Sequence, residues 1–192
     1  MSSKGDKTKQ NICDKAFHLF CERGYKDVTM QDICKETGLS RGGLYRHYES
    51  TEQIFLEIVK GFSDRQESMI SEKISRQISA VTILNEILSV YAKEMTDSRN
   101  SLSLAICEFY SNPAMSQTGN SVKKQYEDAK ALWLKLIGYG IERKEFKEVD
   151  AEAVFDIIVF SYQGVRMYSR LMEIKPSVPD RIIQEIKIRL IA

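Results

Sequence analysis

An all-α fold, with a small three-helix N-terminal unit followed by a larger helical body, is predicted by three features of the sequence. Apolar residues recur at three- and four-residue spacing almost throughout the 192 positions. Only three prolines, Pro113, Pro176 and Pro179, interrupt them. Helix starts and stops punctuate the first fifty residues, with Thr29, Ser40 and Ser50 placed as caps and Gly24 and Gly38 as left-handed ends.

Composition narrows the class of protein without choosing within it. Lys and Arg number 28 against 27 Asp and Glu, a formal charge of +1 that neither requires nor excludes a nucleic-acid partner. The opening MSSKGDKTKQ is a polar arm with no apolar stretch behind it, so no signal peptide is expected. The densest apolar run, FDIIVF, is far shorter than the roughly 18–20 residues a bilayer span needs. The expectation is a soluble, cytoplasmic protein with no membrane partner. Cys13, Cys21, Cys34 and Cys107 show neither CxxC nor zinc-like spacing, and are expected to be buried thiols, with no metal and no cofactor.

The first helix is predicted over about Lys7 to Arg23, with Ile12, Ala16, Leu19, Phe20 and Arg23 on one stripe and Gly24 ending it. Thr29, with Asp32 three residues on, opens a second helix of about eight residues that stops at Thr37 and Gly38. Ser40 then caps a third helix, in the arrangement helix, glycine-containing turn, helix. That third helix carries two adjacent glycines, although each costs roughly 1 kcal/mol against alanine in a helix interior. At 100° per residue Leu44 and Tyr48 share one face, with Gly42 and Arg46 opposite and Gly43, Tyr45 and His47 on the flanks. Without a Cβ, the backbone at Gly42 and Gly43 can approach a ligand closely. The other reading, that RGG is a loop between two helices, is opposed by the Ser40 cap, the Leu44/Tyr48 pair and the fresh Ser50/Gln53 capping box.

These residues resemble the TetR/AcrR family of bacterial transcriptional regulators. The resemblance is carried by Ile12, Ala16, Phe20, Gly24, Tyr25, Thr29 and Ile33, then by Gly38, Ser40, Gly42, Leu44, Tyr45, His47 and Tyr48. It covers about the first 55 residues, and it implies residues 1–50 as a helix-turn-helix DNA-binding domain and 51–192 as a helical ligand-binding and dimerisation domain. By position, the family's phosphate contacts fall on Thr29, Tyr45 and His47, and its groove-facing positions on Arg41, Gly42, Gly43, Tyr45 and Arg46. The Ser40 cap belongs to the same DNA-binding set. Physical chemistry agrees: arginine reads guanine O6 and N7 bidentately, and a helix N-terminus with a threonine hydroxyl suits a phosphate. His47 can equally be a structural histidine.

Two departures from the family stand out. Thr51 occupies a position where the family usually has a phosphate-pairing lysine, and Gly43 one where threonine, serine or alanine is more common. In the first fifty residues nine basic side chains meet seven acidic ones, so binding must rely on where the positive groups point.

Beyond Thr51 a long helix is predicted to about Gln77, turning Ile54, Phe55, Ile58, Phe62, Met69 and Ile70 toward a core. Further helices are predicted over about Ala80 to Thr96, Asn100 to Tyr110, Ser121 to Phe146, Ala151 to Met172 and Asp180 to Leu190. In the last, Ile186, Ile188 and Leu190 also alternate like a strand. FDIIVF is apolar around more than one face, and the resemblance implies a homodimer through the two C-terminal helices. It also implies a pocket for an unknown small-molecule effector, with Phe62, Tyr91, Phe109, Tyr126, Trp133 and Tyr162 as aromatic candidates and Glu108 and Arg166 as polar anchors. Aromatic residues at helical spacing equally serve an ordinary core, so both readings stand. The implied whole is a homodimeric repressor released from an inverted-repeat double-stranded DNA operator by that effector. The alternative is a helical interaction or ligand-sensing protein without DNA binding. No enzyme is expected: neither His18 nor His47 has a glutamate three residues before it, and no nucleophile elbow, Walker loop or paired-histidine motif occurs.

Overall fold

Residues 4–112 and 122–192 are described by the structure, a computed structural model. Among the described residues nine α-helices follow one another: α1 (Lys4–Arg23), α2 (Met30–Thr37), α3 (Arg41–Tyr45), α4 (Thr51–Ser75), α5 (Ala80–Thr96), α6 (Ser103–Tyr110), α7 (Val122–Glu142), α8 (Ala151–Tyr168) and α9 (Ser177–Leu190). A 3-10 turn at Ser98–Asn100 precedes α6, and the β structure among these residues is an isolated bridge between Phe146 and Ile191. None of the helices is long and apolar enough to cross a membrane.

Packing divides the chain into two compact units. One contains the chain up to Asp64 together with the stretch that begins at Leu102; the other contains Arg65–Ser101 and the described residues from 122 onward. The first unit therefore holds more than residues 1–50: it also takes in the N-terminal half of α4 and the whole of α6.

In the first unit Ile12, Ala16, Leu19 and Phe20 of α1, Ile33 of α2, Leu44 of α3, Tyr48, and Ile54 and Phe55 of α4 are buried in one cluster. Burial of each large side chain contributes roughly 1.5–3 kcal/mol. Four rings interlock at its centre, with centroid separations of 5.1 Å for Phe20 and Phe55, 4.8 Å for Tyr25 and Phe109, and 5.0 Å for Phe55 and Phe109. Arg23, expected on the apolar stripe, is 44% exposed and pairs with Asp32 at 3.6 Å. Phe62, expected in the core, is 43% exposed and touches the Phe17 ring at 5.7 Å. Of the four cysteines only Cys21 is buried; Cys13 and Cys34 are half-buried and Cys107 is exposed.

The second unit is built from α5, α7, α8 and α9 around Ile83, Leu84, Ile87, Trp133, Leu136, Ile137, Phe155, Ile158, Ile186 and Leu190. Its turn after α7 differs from expectation for a clear reason. The helix stops at Glu142, the backbone turns through Lys144 at φ 60°, and Phe146 folds back onto Gly140. A Cβ at Gly140 would lie 2.2 Å from the Phe146 ring, so glycine alone admits the ring there. The chain end continues as helix through Leu190 despite its strand-like alternation, and only then pairs as a bridge, with Lys147 N donating to Leu190 O at 2.8 Å.

Other boundaries shift by a few residues. α1 begins at Lys4, so the expected polar arm is helical from there, and residues 1–3 lie outside the described residues. α4 ends at Ser75, because Gln77 adopts φ 57°. α6 begins at Ser103, since Asp97 caps the preceding 3-10 turn through Asn100 N at 3.2 Å. For α7, Ser121 lies outside the described residues. α8 ends at Tyr168, where Leu171 N and Met172 N both turn back to its carbonyl at 2.9 Å. α9 begins at Ser177, directly after Pro176.

Candidate nucleic-acid interface

The α2–turn–α3 segment is set by local chemistry. Thr29 caps α2 in a complete capping box: its hydroxyl accepts from Asp32 N at 3.2 Å while its own N–H donates to Asp32 Oδ2 at 3.0 Å. Bonds from the Thr29 hydroxyl and backbone hold the Asp32 carboxyl below its ordinary pKa. Gly38 supplies the left-handed stop at φ 70°, and Ser40 Oγ accepts from Gly43 N at 3.1 Å to start α3. α3 itself is short, Arg41–Tyr45, and is followed by turn residues Arg46 and His47 before Tyr48 returns to the core.

Leu44 and Tyr48 are completely buried beneath α3, as the wheel predicts. The Tyr48 hydroxyl lies 3.3 Å from Cys13 Sγ on α1, and Lys9 stands over its ring at 5.2 Å. Burial pushes the Cys13 thiol above its ordinary pKa, so this contact anchors α1 to the end of the α3 segment rather than offering a reactive thiolate.

With its back anchored in this way, α3 leaves Ser40, Arg41, Gly42, Tyr45 and Arg46 exposed, and Thr29 is exposed at the start of α2. Arg41 and Arg46 enter no ion pair among the described residues, whereas Glu36 is engaged by Lys15 at 3.3 Å and Asp32 by Arg23. Two acids of this segment are thus engaged by α1 side chains, while α3 carries Arg41 and has Arg46 directly after it with no acid of its own. Arg41 lies 5.6 Å from the Tyr45 ring. The two glycines differ: nothing lies within 4 Å of a Cβ at Gly42, but one at Gly43 would sit 3.2 Å from Ser40 Oγ. Gly43 therefore leaves room for the cap hydroxyl, a reason the sequence did not reveal. His47 is half-buried and its N–H donates to Leu44 O at 2.9 Å.

The ligand candidates are not all brought together. Tyr91, Trp133, Tyr162 and Arg166 converge in the second unit: the Tyr91 and Tyr162 rings stack at 4.1 Å, Trp133 lies 6.1 Å from Tyr91, and Arg166 stands 4.9 Å from the Tyr162 ring. The Tyr162 hydroxyl donates to Glu94 and accepts from Arg166 at 2.9 Å, and Gln66 donates to the Tyr91 hydroxyl at 2.8 Å. Burial raises the pKa of both tyrosines, and Arg166 Nε is buried with no partner. Glu94 and Gln66 escaped sequence reading. Glu94 sits three residues after Tyr91, which is the spacing that would have pointed to it. Tyr126 stands apart, bonded to Asp156 and 5.1 Å from Phe155. Phe62, Glu108 and Phe109 belong to the first unit, where Phe109 is core and Glu108 Oε2 accepts from Tyr25 N at 2.7 Å and Lys26 N at 3.1 Å.

α8 carries an apolar face that its own unit does not cover. Val154, Phe155, Ile158 and Tyr162 point inward, while Ile157, Phe160 and Tyr168 are 39%, 65% and 59% exposed, and nothing lies within 4 Å of a Cβ at Gly164 between them. Leu171 and Met172, just past the helix end, are 75% and 56% exposed, and Ile188 on α9 is 53% exposed. An open depression of about 330 Å³, lined by residues including Ala153, Ile157 and Arg189, adjoins it.

A capped helix, a glycine turn and a short helix with free arginines, attached to a separate helical body, define a helix-turn-helix transcriptional regulator. Residues 12–58 match the family model described as bacterial regulatory proteins, tetR family, and this match supports a TetR-family transcriptional regulator. It is 25% identical over 149 residues to the HTH-type transcriptional regulator YfiR of Bacillus subtilis, covering 75% of this chain and 70% of that one. It is 24% identical over 148 residues to the HTH-type transcriptional repressor KstR2 of Rhodococcus jostii, covering 77% and 72%. A shorter match, 38% over 52 residues, or 27% and 28% of the two chains, is to IcaR of Staphylococcus epidermidis, a negative transcriptional regulator of a biofilm operon. In fold, a TetR transcription regulator from Haloarcula marismortui superposes with a TM-score of 0.72 at 20% identity over 96% of this chain and 98% of the other.

Proposed function

We propose that this regulator is a homodimeric repressor that holds an inverted-repeat operator and releases it when a small molecule binds its helical body. The observation that carries the DNA reading is the exposed, unpaired Arg41 and Arg46 on a short helix backed by fully buried Leu44 and Tyr48. Arg41 and Arg46 read base edges in the major groove; Thr29, Ser40, Tyr45 and His47 meet phosphates; Gly42 and Gly43 let the backbone come close. The relatives KstR2 and IcaR, a repressor and a negative regulator by name, favour repression over activation.

The uncovered α8 face and Ile188 of α9 support pairing of two copies through the two C-terminal helices, since an apolar patch of this kind on one chain calls for a partner. Two copies present two recognition helices to half-sites about one helical turn apart. The effector site is assigned to the cluster of Tyr91, Trp133, Tyr162 and Arg166, where a largely buried set of stacked rings surrounds an Arg166 Nε donor that has no acceptor. The effector must bind the DNA-incompetent arrangement better, and a differential of about 1–3 kcal/mol gives a normal response. The protein works by binding rather than turnover, in the cytoplasm where the operator is. Mobility-shift titration against the chain's own promoter region tests this: a salt-sensitive, sequence-selective complex is expected, and its absence overturns the proposal.

A further inference from the structure

α6 has one charged side chain, Glu108, and its carboxylate grips the turn between α1 and α2. Oε2 accepts from the consecutive backbone N–H groups of Tyr25 and Lys26, at 2.7 and 3.1 Å. These bonds exist because of the residue before them. Gly24 adopts φ +81°, and a Cβ there would lie 2.5 Å from Oε2, 2.9 Å from Cδ and 3.0 Å from Oε1 of Glu108. The carboxyl group thus occupies the space that any other residue would fill. The adjacent Phe109 ring packs edge-on against the Tyr25 ring at 4.8 Å, so α6 holds the same turn by backbone and by side chain. Three residues beyond Lys26 stands Thr29, the cap of α2, and Arg23 at the end of α1 pairs with Asp32 on the far side of the turn.

α6 lies outside residues 12–58, yet it packs in the first unit, although the chain leading into it, Arg65–Ser101, belongs to the second. We propose that Glu108 is a positioning residue for DNA recognition: by fixing the Gly24–Lys26 turn it sets α2 and α3 in their DNA-reading placement. The proposal rests on the DNA-binding reading and adds a residue outside the helix-turn-helix on which that reading depends. Loss of the carboxylate leaves two consecutive N–H groups without their acceptor, and the turn ahead of Thr29 loosens.

Glu108→Ala and Glu108→Gln in the full chain test it, with amide hydrogen exchange and titration of an operator selected by the wild-type chain. Glu108→Ala is expected to speed exchange of the Tyr25 and Lys26 amides by about 10- to 100-fold, the range for losing hydrogen bonds to a charged acceptor. It is also expected to weaken operator binding about tenfold, with helical content and exchange in α5 and α7–α9 unchanged. Glu108→Gln keeps an acceptor oxygen and is expected to recover most of the affinity, which guards against a folding defect in the alanine variant. Unchanged exchange at Tyr25 and Lys26, or wild-type operator affinity in Glu108→Ala, overturns the latch while leaving the DNA reading intact. Failure of the wild-type chain to select any DNA overturns the DNA reading and the latch with it.

Discussion

Phe160→Asp probes the proposed dimer through the large exposed ring at the middle of the α8 face. Phe160 is 65% exposed on α8, beside Ile157 and facing the same side as Gly164. A phenylalanine presents about 200 Å² of surface, so roughly 130 Å² of it awaits a partner. At about 25 cal/mol per Å² its burial contributes roughly 3 kcal/mol, and a two-fold interface loses this twice. The dimer constant should rise by a factor on the order of 10⁴, before the cost of desolvating an aspartate is added. Sedimentation equilibrium of wild type and variant over nanomolar to micromolar concentration reads this directly. Because Phe160 lies outside the buried cluster of its unit, the variant should keep its helical content. A variant that dimerises like the wild type, or a wild type that is monomeric throughout, refutes the assignment of α8 as the interface.

Arg46→Ala should lose roughly 1–3 kcal/mol of operator affinity and relax selectivity at one base position; a uniform loss on all sequences reassigns the residue to phosphate. Thr51→Lys, at the first residue of α4, should strengthen binding and steepen its salt dependence, and unchanged titrations would place this position away from DNA. Gly43→Thr brings a Cβ to 3.2 Å from Ser40 Oγ, a contact relieved by a few tenths of an ångström of movement; an unchanged thermal melt with altered operator affinity is expected, and a lowered melting temperature would instead assign the glycine to the cap. Glu145 provides a pH signature. Burial pushes its carboxyl up, but bonds from Ser79, Arg143 and Val81 outweigh this and hold it at about 2, below the ordinary 4.5. Its contribution is therefore present above pH 4.5 and lost as pH falls toward 2. Glu145→Gln should melt earlier at pH 7 by an amount set by about 1–3 kcal/mol, and should lose less stability than the wild type between pH 4.5 and 2; parallel curves would contradict this.

Helix existence was legible wherever apolar period and caps agreed, as in α2, because both signals act within a few residues. The α3 wheel was legible too: Leu44 and Tyr48 buried and Gly42 and Arg46 exposed follow from periodicity alone. What the sequence hid depends on contacts between distant residues. The early end of α7 needs Phe146 against Gly140, and neither residue announces the other. Glu108 reads as a candidate polar anchor for an effector, yet its partners are backbone amides more than eighty residues earlier. Phe62 fits a helical stripe but lies in the stretch of α4 where that stripe is not covered by its unit. The effector cluster was half legible, since its rings lie at helical spacing whereas Glu94 and Gln66 become partners only once α4, α5 and α8 are in place.

Selection of binding sites from a random double-stranded DNA pool, with the stoichiometry of the selected complex, tests the central claim most directly. An inverted repeat with half-sites about one helical turn apart is expected, bound by two chains and weakened steeply by salt. A pool that stays random after selection, or an asymmetric site held by a single chain, would contradict it.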